Sequence, residues 1–427
     1  MARKTDQQII HSVRINNKKC IGCVRCMRDC PTKAIRVRTG KAVINYERCI
    51  DCGECLRVCP YDAVIPMTTS SADLDKFKYK VALPSPVVYS QFGQQVFPDE
   101  ILSVIKELGF DYVYDEALMC EMISMTIEEY LDETKSPRPV ISSTCPVVVR
   151  LIQRLFPSLC DLVIPIEPPR EAAAKNLRQE IAEKNKILED DIGIFHITPC
   201  AAKMISINYP ESMKRSHLDG AISIHEIYNR VMIKLKKERR PSWLYKHHPI
   251  SGIGVAWTVS GGEIKAFKNF PSVSVSGVYD TIRILEDVES GKLKDIEYLE
   301  CLICPDGCIG GPLTVENRFV ARSTVNRLIR IYGDKRMVDM RRVQKMYRQK
   351  FFSFESSLKP KPFAGLATDR IKAIELLKVK KEMLKRLPAI DCGACGAPDC
   401  ETHATDIALG DGRLEDCVFV KKEVHNE

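Results

Sequence analysis

Nineteen cysteines constrain this chain of 427 residues more than any other feature, because twelve of them fall into three groups of four. The groups are Cys20, Cys23, Cys26 and Cys30, then Cys49, Cys52, Cys55 and Cys59, and finally Cys392, Cys395, Cys400 and Cys417. In a chain without a secretion signal, so many cysteines indicate metal ligation or redox chemistry rather than disulfides. The other seven are Cys120, Cys145, Cys160, Cys200, Cys301, Cys304 and Cys308.

The first two groups form an internal repeat, in which the run from Cys20 to Pro31 recurs from Cys49 to Pro60. Both copies read Cys-x-x-Cys-x-x-Cys-x-x-x-Cys-Pro, the pattern of bacterial two-cluster ferredoxins, whose fourth cysteine ligates the other cluster. The pattern therefore predicts one 4Fe-4S cluster on Cys20, Cys23, Cys26 and Cys59, and a second on Cys49, Cys52, Cys55 and Cys30. Zinc is the alternative, but it favours paired Cys-x-x-Cys knuckles. Ile35 and Val43, in a predicted hairpin around Thr39 and Gly40, are expected to shield the clusters from water.

The third group has the spacing Cys392-x-x-Cys395-x4-Cys400, and sixteen residues separate Cys400 from Cys417. Gly393 and Gly396 allow backbone N–H groups to approach cluster sulfurs closely. We predict a third electron-transfer cluster here, with structural zinc as the alternative.

Hydrophobic periodicity divides the chain into four segments. We predict an N-terminal α+β ferredoxin-like domain over residues 1–75 and an α/β domain over 76–335, where strand-like and helix-like segments alternate. A basic linker is expected over 336–367, and a small C-terminal helical iron-sulfur domain over 368–427. The segment DYVYDEAL, residues 111–118, is predicted to be a strand, and residues 368–387 a helix.

The formal net charge of +8 treats every thiol as neutral. A 4Fe-4S core of about +2 held by four thiolates adds roughly −2 per site, so four sites bring the total near zero. The basic excess is therefore read as compensation for cofactors, and we expect no nucleic-acid partner. No apolar run approaches the ~20 residues of a membrane span, and the start MARKTDQQ is not a secretory signal. We expect a cytoplasmic protein without a membrane partner.

Four of the remaining cysteines occur in three loops, STCP (residues 143–146), TPCAAK (198–203) and ECLICPDGCIGG (300–311). This set resembles the active-site domain of FeFe hydrogenases. The resemblance implies that Cys145, Cys200, Cys304 and Cys308 hold a 4Fe-4S cluster, and that Cys308 also bridges to a diiron unit carrying CO, CN and a dithiolate amine. It covers roughly residues 10–330, and implies H2 and protons as substrates.

The resemblance also suggests residues that would surround the diiron unit. Lys203 matches a family lysine that hydrogen-bonds a cyanide ligand, and Gly307 allows the backbone to approach the cluster. Pro146, Thr198 and Leu302 belong to the same cofactor-binding loops, although Thr198 and Leu302 stand where efficient enzymes carry methionines.

Proton delivery departs from the family pattern. Thr144 occupies the position of a cysteine that passes protons to the bridgehead amine, and a threonine hydroxyl does not ionise in the accessible pH range. Ile127 and Tyr130 stand where an ungapped alignment places the family's proton-path glutamates. These losses resemble the sensory branch of the family, whose members oxidise hydrogen slowly and report it to a kinase or phosphatase.

Alternatives remain open. Cys120, Cys160 and Cys301 are expected to be buried small apolar residues, yet Cys120 is also a candidate substitute for the missing proton-relay thiol. The chain is then either a slow sensor, an ordinary turnover hydrogenase using Thr144 or Cys120, or a non-catalytic iron-sulfur protein without the diiron unit. No complete nucleotide-binding motif is present, so a ferredoxin-like partner is expected to exchange electrons with it. A homo-oligomer is also possible from the sequence.

Overall fold

A computed structural model describes residues 11–237, 250–266 and 269–420. The chain divides into two compact units, the first made of residues 1–67 and 362–427 and the second of residues 68–361. The initial segment MARKTDQQ lies outside the described residues.

The N-terminal part of the first unit contains two small antiparallel sheets and two short helices. Its elements are β1 (Val13–Ile15), α1 (Arg25–Arg28), β2 (Ile35–Arg38), β3 (Lys41–Ile44), α2 (Glu54–Val58) and β4 (Val64–Pro66), with β1 paired to β4 and β2 to β3. The predicted hairpin turn is present, and Thr39 and Gly40 both have positive φ, as a type I′ turn requires. Ile35 is buried as expected, but Val43 is exposed because alternate strand residues face opposite sides, and its neighbour Ala42 faces the core.

The second unit is the predicted α/β domain, built on two sheets in which all pairs are parallel. The four-stranded sheet has the order β6-β5-β8-β9 and the three-stranded sheet has the order β10-β11-β7. The strands are β5 (Tyr79–Pro84), β6 (Tyr112–Val113), β7 (Val140–Ile141), β8 (Ile192–Thr198), β9 (Gly220–Ser223), β10 (Ser272–Ser276) and β11 (Tyr298–Leu302). All seven residues of β8 are buried, as expected for a strand of a parallel sheet covered on both faces.

Helices cover the sheets of this unit. They are α3 (Ser71–Leu74), α4 (Pro98–Lys106), α5 (Glu116–Glu133), α6 (Pro146–Leu155), α7 (Pro169–Asn185), α8 (Ala202–Asn208), α9 (Ile224–Lys237), α10 (Gly252–Ala256), α11 (Val278–Glu289), α12 (Arg318–Tyr332) and α13 (Met340–Arg348). The strand predicted over residues 111–118 is wrong beyond β6, because Asp115 caps α5 by accepting a hydrogen bond from the Ala117 N–H.

Residues 336–361 are not a linker, as the sequence suggested, but part of the second unit. They contain α13, in which Val343 is buried, and four residues after the end of this helix Phe352 is only 1% exposed. The Glu167 N–H donates to the Phe352 carbonyl at 2.7 Å. A few apolar residues thus anchor a segment whose basic composition had dominated the prediction.

The C-terminal part of the first unit pairs α14 (Arg370–Arg386) with α15 (Cys400–Leu409). The predicted helix over residues 368–387 is confirmed. Its small core contains Leu387, Ala404, Leu414 and Cys417, whereas Ile371 on α14 is 70% exposed. Among the helices described, none has the length and apolarity needed to cross a membrane.

The anchoring role of Phe352 can be tested by Phe352→Ala. We expect a loss of about 3–5 kcal/mol in the free energy of unfolding of the second unit, because a fully buried aromatic side chain leaves a cavity. Denaturant unfolding measures the change. Met340→Ala, at an exposed position of the same segment, should change stability by no more than about 0.5 kcal/mol, and equal losses in both variants would contradict the anchoring role.

Candidate functional site

Two cavities in the first unit are each lined by one of the predicted ferredoxin-type quartets. One cavity is lined by Cys20, Cys23, Cys26 and Cys59, and a second by Cys30, Cys49, Cys52 and Cys55. The exchange of the fourth cysteine between the repeats therefore appears in the structure. We call these cavities site 1 and site 2.

Burial of the cysteine thiols in both sites disfavours the charged thiolate form when no cation is bound. Burial and the neighbouring Cys20, Cys23 and Cys59 raise the pKa of the Cys26 thiol to about 12. Burial, with Cys30 and Cys26 nearby, raises the pKa of Cys55 to about 12. Four thiolates in one such cavity therefore require a bound cation or cationic cluster.

Hydrogen bonds already converge on the sulfurs of these sites. Backbone N–H groups of Ala42 and Ala63, in site 1, donate to Sγ of Cys20 and Cys59, each at 3.3 Å. In site 2 the Ala34 N–H donates to Cys30 Sγ at 3.2 Å. Such N–H···S contacts are among the groups that set the potentials of iron-sulfur clusters.

The spacing of the sulfurs does not suit tetrahedral zinc. A Zn–S bond of about 2.3 Å would place two ligand sulfurs only about 3.8 Å apart. Within the described ranges, the one set of three metal-ligating side chains whose donor atoms all lie within 4.8 Å of one another is His11, Cys49 and Asp51. No cysteine quartet is that compact, so the quartets fit a cluster of several atoms better than a single ion.

The third quartet surrounds the start of α15, which begins at Cys400. The pKa of Cys395 is raised by burial and by the neighbouring Cys417 and Cys392 thiols, so these three residues lie close together. The Cys400 N–H donates to Asp391 Oδ1 at 2.8 Å, which fixes the helix start against the loop. We call this quartet site 3.

In the second unit, three loops at the carboxyl ends of parallel strands carry the remaining candidate ligands, as expected for an α/β fold. Cys145 follows β7 and is the N-cap of α6, with Pro146 as the first helical residue. Cys200 follows β8, and Cys304 and Cys308 follow β11.

These loops converge on one another. Burial raises the pKa of the Cys308 thiol to about 12, and the neighbouring Cys145 and Cys200 thiols contribute to this rise. The Lys203 ammonium has the opposite effect and lowers the Cys308 pKa. The Leu313 N–H donates to the Pro199 carbonyl at 3.0 Å, which ties the third loop to the second. Lys203 is only 8% exposed, so its charge is held inside the group of thiols. We call Cys145, Cys200, Cys304, Cys308 and Lys203 the loop site.

Glycines allow the close packing of the third loop. Gly307 has a φ of +99°, and a Cβ there would lie 2.6 Å from the Ser260 nitrogen. A Cβ at Gly311 would lie 2.5 Å from the Pro199 carbonyl oxygen. Thr198 and Leu302 are both buried at strand ends, and the Thr198 hydroxyl accepts from the Cys200 N–H at 3.1 Å, so it shapes the second loop.

Cys120 lies in α5 with polar neighbours rather than in a purely apolar core. Burial raises the pKa of its thiol, as do the carboxylates of Glu116 and Asp115, and the Lys203 ammonium lowers it. Cys120 is therefore electrostatically coupled to the loop site. Ile127 is buried in the same helix, whereas the Tyr130 hydroxyl lies 3.3 Å from the Ser136 hydroxyl. Cys160 and Cys301 are buried, as expected.

A buried pair that sequence analysis did not identify joins Glu116, one helical turn before Cys120 in α5, to His196 in β8. His196 Nε2 is 3.0 Å from Glu116 Oε2, and burial lowers the pKa of His196 to about 4, so the imidazole is neutral at pH 7. His196 Nδ1 is buried without a hydrogen-bond partner among the described residues. In the sequence, His196 lies within the segment that forms β8, all of whose residues are buried, and no local motif marks it as a functional residue.

A second acidic network lies beside Thr144. The Thr144 N–H donates to Ser142 Oγ at 3.3 Å, and that hydroxyl donates to both carboxylate oxygens of Glu263, at 3.1 and 3.0 Å. Tyr298 also donates to Glu263, while Glu300 accepts from the Gly261 N–H at 2.9 Å. Burial raises the pKa of Glu263 to about 8 and that of Glu300 to about 7, so this pair holds protons near neutral pH.

Family models match three parts of the chain. The model described as "Iron only hydrogenase large subunit, C-terminal domain" matches residues 78–312, a 4Fe-4S dicluster domain matches residues 12–60, and an iron-sulfur cluster domain matches residues 387–419.

Similar proteins include the periplasmic iron hydrogenase large subunit of Nitratidesulfovibrio vulgaris, 25% identical over 372 residues, which cover 72% of this chain and 87% of that protein. Iron hydrogenase 1 of Clostridium pasteurianum is 23% identical over 331 residues, 67% of this chain and 54% of that protein. The chain thus spans about half the length of the latter relative. An apo FeFe-hydrogenase variant of Chlamydomonas reinhardtii shares the fold, with a TM-score of 0.50 and 14% identity over 68% of this chain and 98% of that one.

The raised pKa of Glu263 predicts a pH-dependent stability. A carboxyl whose pKa rises from 4.5 to about 8 on folding stabilises the fold fully below pH 4.5, and this stabilisation is lost as the pH rises through 8. We expect Glu263→Gln to flatten the stability curve between pH 5 and 8, by at most about 1.4 kcal/mol per pH unit. Urea unfolding at several pH values measures it.

Glu286→Gln, at an exposed position of α11, is the matched control and should leave the slope unchanged. If Glu263→Gln also kept the slope of the unaltered protein, the assignment of a protonated Glu263 would be incorrect.

Proposed function

The chain belongs to the iron-only hydrogenase large-subunit family, since that family model matches more than half of it, and on this premise we propose that it is a hydrogen sensor. It would bind H2 and oxidise it slowly and reversibly. The observation that carries the proposal is the loop site, in which the candidate ligands and a buried Lys203 come together while a threonine, not a thiol, precedes Cys145.

The proposed cofactors are three accessory 4Fe-4S clusters, in sites 1, 2 and 3, and an H-cluster in the loop site. Cys145, Cys200, Cys304 and Cys308 would hold the cubane of the H-cluster, with Cys308 shared with the diiron unit. When bound, this group would supply the heterolytic cleavage of hydrogen and accept the electrons. Lys203 would offset the negative charge of thiolate and cyanide ligands, because an ammonium at 8% exposure is only weakly screened by water.

Slow turnover follows from how the residues near the loop site handle protons. Thr144 has a hydroxyl that does not ionise near neutral pH, so it cannot act as a proton-holding relay in the way that a thiol does. The remaining candidates are Cys120, with Glu116 and His196 behind it, and Glu263, which reaches the backbone of Thr144 through Ser142. All of these side chains are buried, so none of them exchanges protons freely with bulk water.

The same residues support a second candidate, an ordinary turnover hydrogenase. Glu263 and Glu300 have pKa values near neutrality, which suits a proton relay, and the Cys120 thiol is coupled to Lys203. This alternative differs from the sensor only in rate. Cys308 and the buried Lys203 argue against a third candidate, a non-catalytic iron-sulfur protein without the diiron unit.

Electrons from hydrogen would leave through the clusters of the first unit to a ferredoxin-like carrier. A kinase or phosphatase would read the redox state in the sensory case. We place the protein in the cytoplasm as part of the proposal, because reduced cysteines at this density suit a reducing compartment.

Infrared spectroscopy tests the proposed cofactor. Protein matured anaerobically with the diiron unit is measured under inert gas and then under hydrogen. Bands of metal-bound CO and CN that shift under hydrogen are the expected result. Failure to incorporate these ligands, with the cubane spectra intact, would contradict both hydrogenase proposals and favour the non-catalytic alternative.

The proton role of Cys120 is tested by Cys120→Ser. If its thiol carries protons, hydrogen oxidation should fall about 100-fold, the lower end of the range for losing a general acid–base group, while the infrared bands persist. Hydrogen-dependent dye reduction measures the rate. Cys160→Ser removes another buried thiol and should leave the rate unchanged, whereas an unchanged rate in Cys120→Ser would exclude Cys120 as the relay.

A further inference from the structure

Site 3 lies directly against the wall of site 1 within the first unit. The Val37 side chain lines the site 1 cavity, and the Val37 N–H donates to the Gly396 carbonyl, next to Cys395, at 2.9 Å. One residue of β2 therefore separates the site 1 cavity from the ligand loop of site 3.

Two arginines bind the carbonyl groups of candidate ligands in site 3. Arg28 Nη2 donates to the Cys392 carbonyl at 2.7 Å, and Arg38 Nη1 donates to the Cys395 carbonyl at 3.2 Å. Arg28 ends α1 only two residues after Cys26, which lines site 1. Arg28 thus connects the helix that carries Cys26 to the backbone of Cys392 through one hydrogen bond.

The packing at this boundary leaves no room for side chains. A Cβ at Gly396, where φ is +80°, would lie 2.0 Å from the Val37 carbonyl oxygen. At Gly393, where φ is +72°, a Cβ would lie 3.2 Å from the methyl group of Met27, which is fully buried. Glycine at both positions therefore lets the loop of site 3 approach site 1 closely.

A buried carboxylate holds the two parts together. Asp406, on α15, accepts hydrogen bonds from Arg36 Nε at 2.6 Å and Nη2 at 2.9 Å, and from Arg38 Nη2 at 2.8 Å. Lys33 and Asp399 add an ion pair at 2.8 Å. Bidentate arginine–carboxylate pairs have a defined geometry, so the contact is a specific one rather than a loose tether.

We propose that site 3 exchanges electrons directly with site 1, and that Arg28 raises the reduction potential of site 3. This inference rests on the proposed function, which assigns clusters to both sites. In the transfer, one electron leaves the reduced cluster of site 1 and reduces the oxidised cluster of site 3. No bond is made or broken and no proton moves. Hydrogen, or a chemical reductant in the test, supplies the electron.

Arg28 affects the potential through its charge. A guanidinium that donates to a ligand carbonyl stabilises the more negative, reduced cluster. Val37, which lines site 1, is hydrogen-bonded to Gly396 in the ligand loop of site 3, so site 1 has a direct backbone contact with that loop. Site 3 is therefore placed to receive electrons from site 1.

Arg28→Gln in the full chain with reconstituted clusters is the first experiment. Redox titration followed by electron paramagnetic resonance gives the potential of each cluster, and Cys417→Ala, which removes a candidate ligand, identifies the signal of site 3. In Arg28→Gln we expect the ratio of reduced to oxidised cluster in site 3, at a fixed applied potential, to be at least threefold lower. This change corresponds to a reduction potential about 28 mV lower for a one-electron couple.

Arg14→Gln is the matched control, because Arg14 is exposed on β1 of the same unit, carries the same charge and lines neither site 1 nor site 2. It should leave the potential of site 3 unchanged. An unchanged potential in Arg28→Gln, or equal shifts in both variants, would overturn the role of Arg28.

The direct contact is tested in the fully reduced protein without substitution at the boundary. Magnetic interaction between the clusters of sites 1 and 3 should broaden the site 1 signal, and Cys417→Ala should remove that broadening. A spectrum that is the plain sum of independent signals would overturn the inference while leaving the proposed function intact. Iron analysis showing no cluster in site 3 would overturn the inference together with that part of the proposed function.

Discussion

The burial of cysteine thiols in groups of four is the constraint on which this structure depends. A thiolate in such a cavity is destabilised by the loss of water and by its like-charged neighbours, and Cys26 and Cys308 show both effects. Only a bound cationic centre makes four thiolates acceptable there. The folding of the small first unit, which has two short sheets and little apolar core, is thereby linked to cluster binding.

The loop site follows the same rule in a different setting. Parallel sheets bring the carboxyl ends of β7, β8 and β11 to the loops, and helix starts and glycines let the backbone come close. Here one positive charge, on Lys203, is built into the protein itself. On one side of this site the buried pair Glu263 and Glu300 has pKa values near neutrality, and on the other the buried Glu116 is hydrogen-bonded to the neutral imidazole of His196.

Sequence reasoning succeeded where the chemistry is local. The Cys-x-x-Cys-x-x-Cys runs and the α/β alternation are periodic along the chain, so the quartets and the fold class follow from spacing. It failed where burial depends on distant contacts. Phe352 belongs to a basic segment that looks like a linker, and only its place in the second unit explains its burial. Val43 was expected to cover a cluster, but the pleat of β3 turns it to solvent.

The sequence by itself determined which residue types are available to hold metal, because ligand spacing within a loop is a local property of the chain. The tertiary structure alone decided which groups meet across the chain. Glu116 is hydrogen-bonded to His196, which lies 80 residues away in the sequence, and Asp406 pairs with Arg36 across 370 residues. Such pairs leave no trace in local periodicity, since their geometry is set by the packing of whole elements. For that reason the proton-holding groups and the contact between sites 1 and 3 are visible only in the folded molecule.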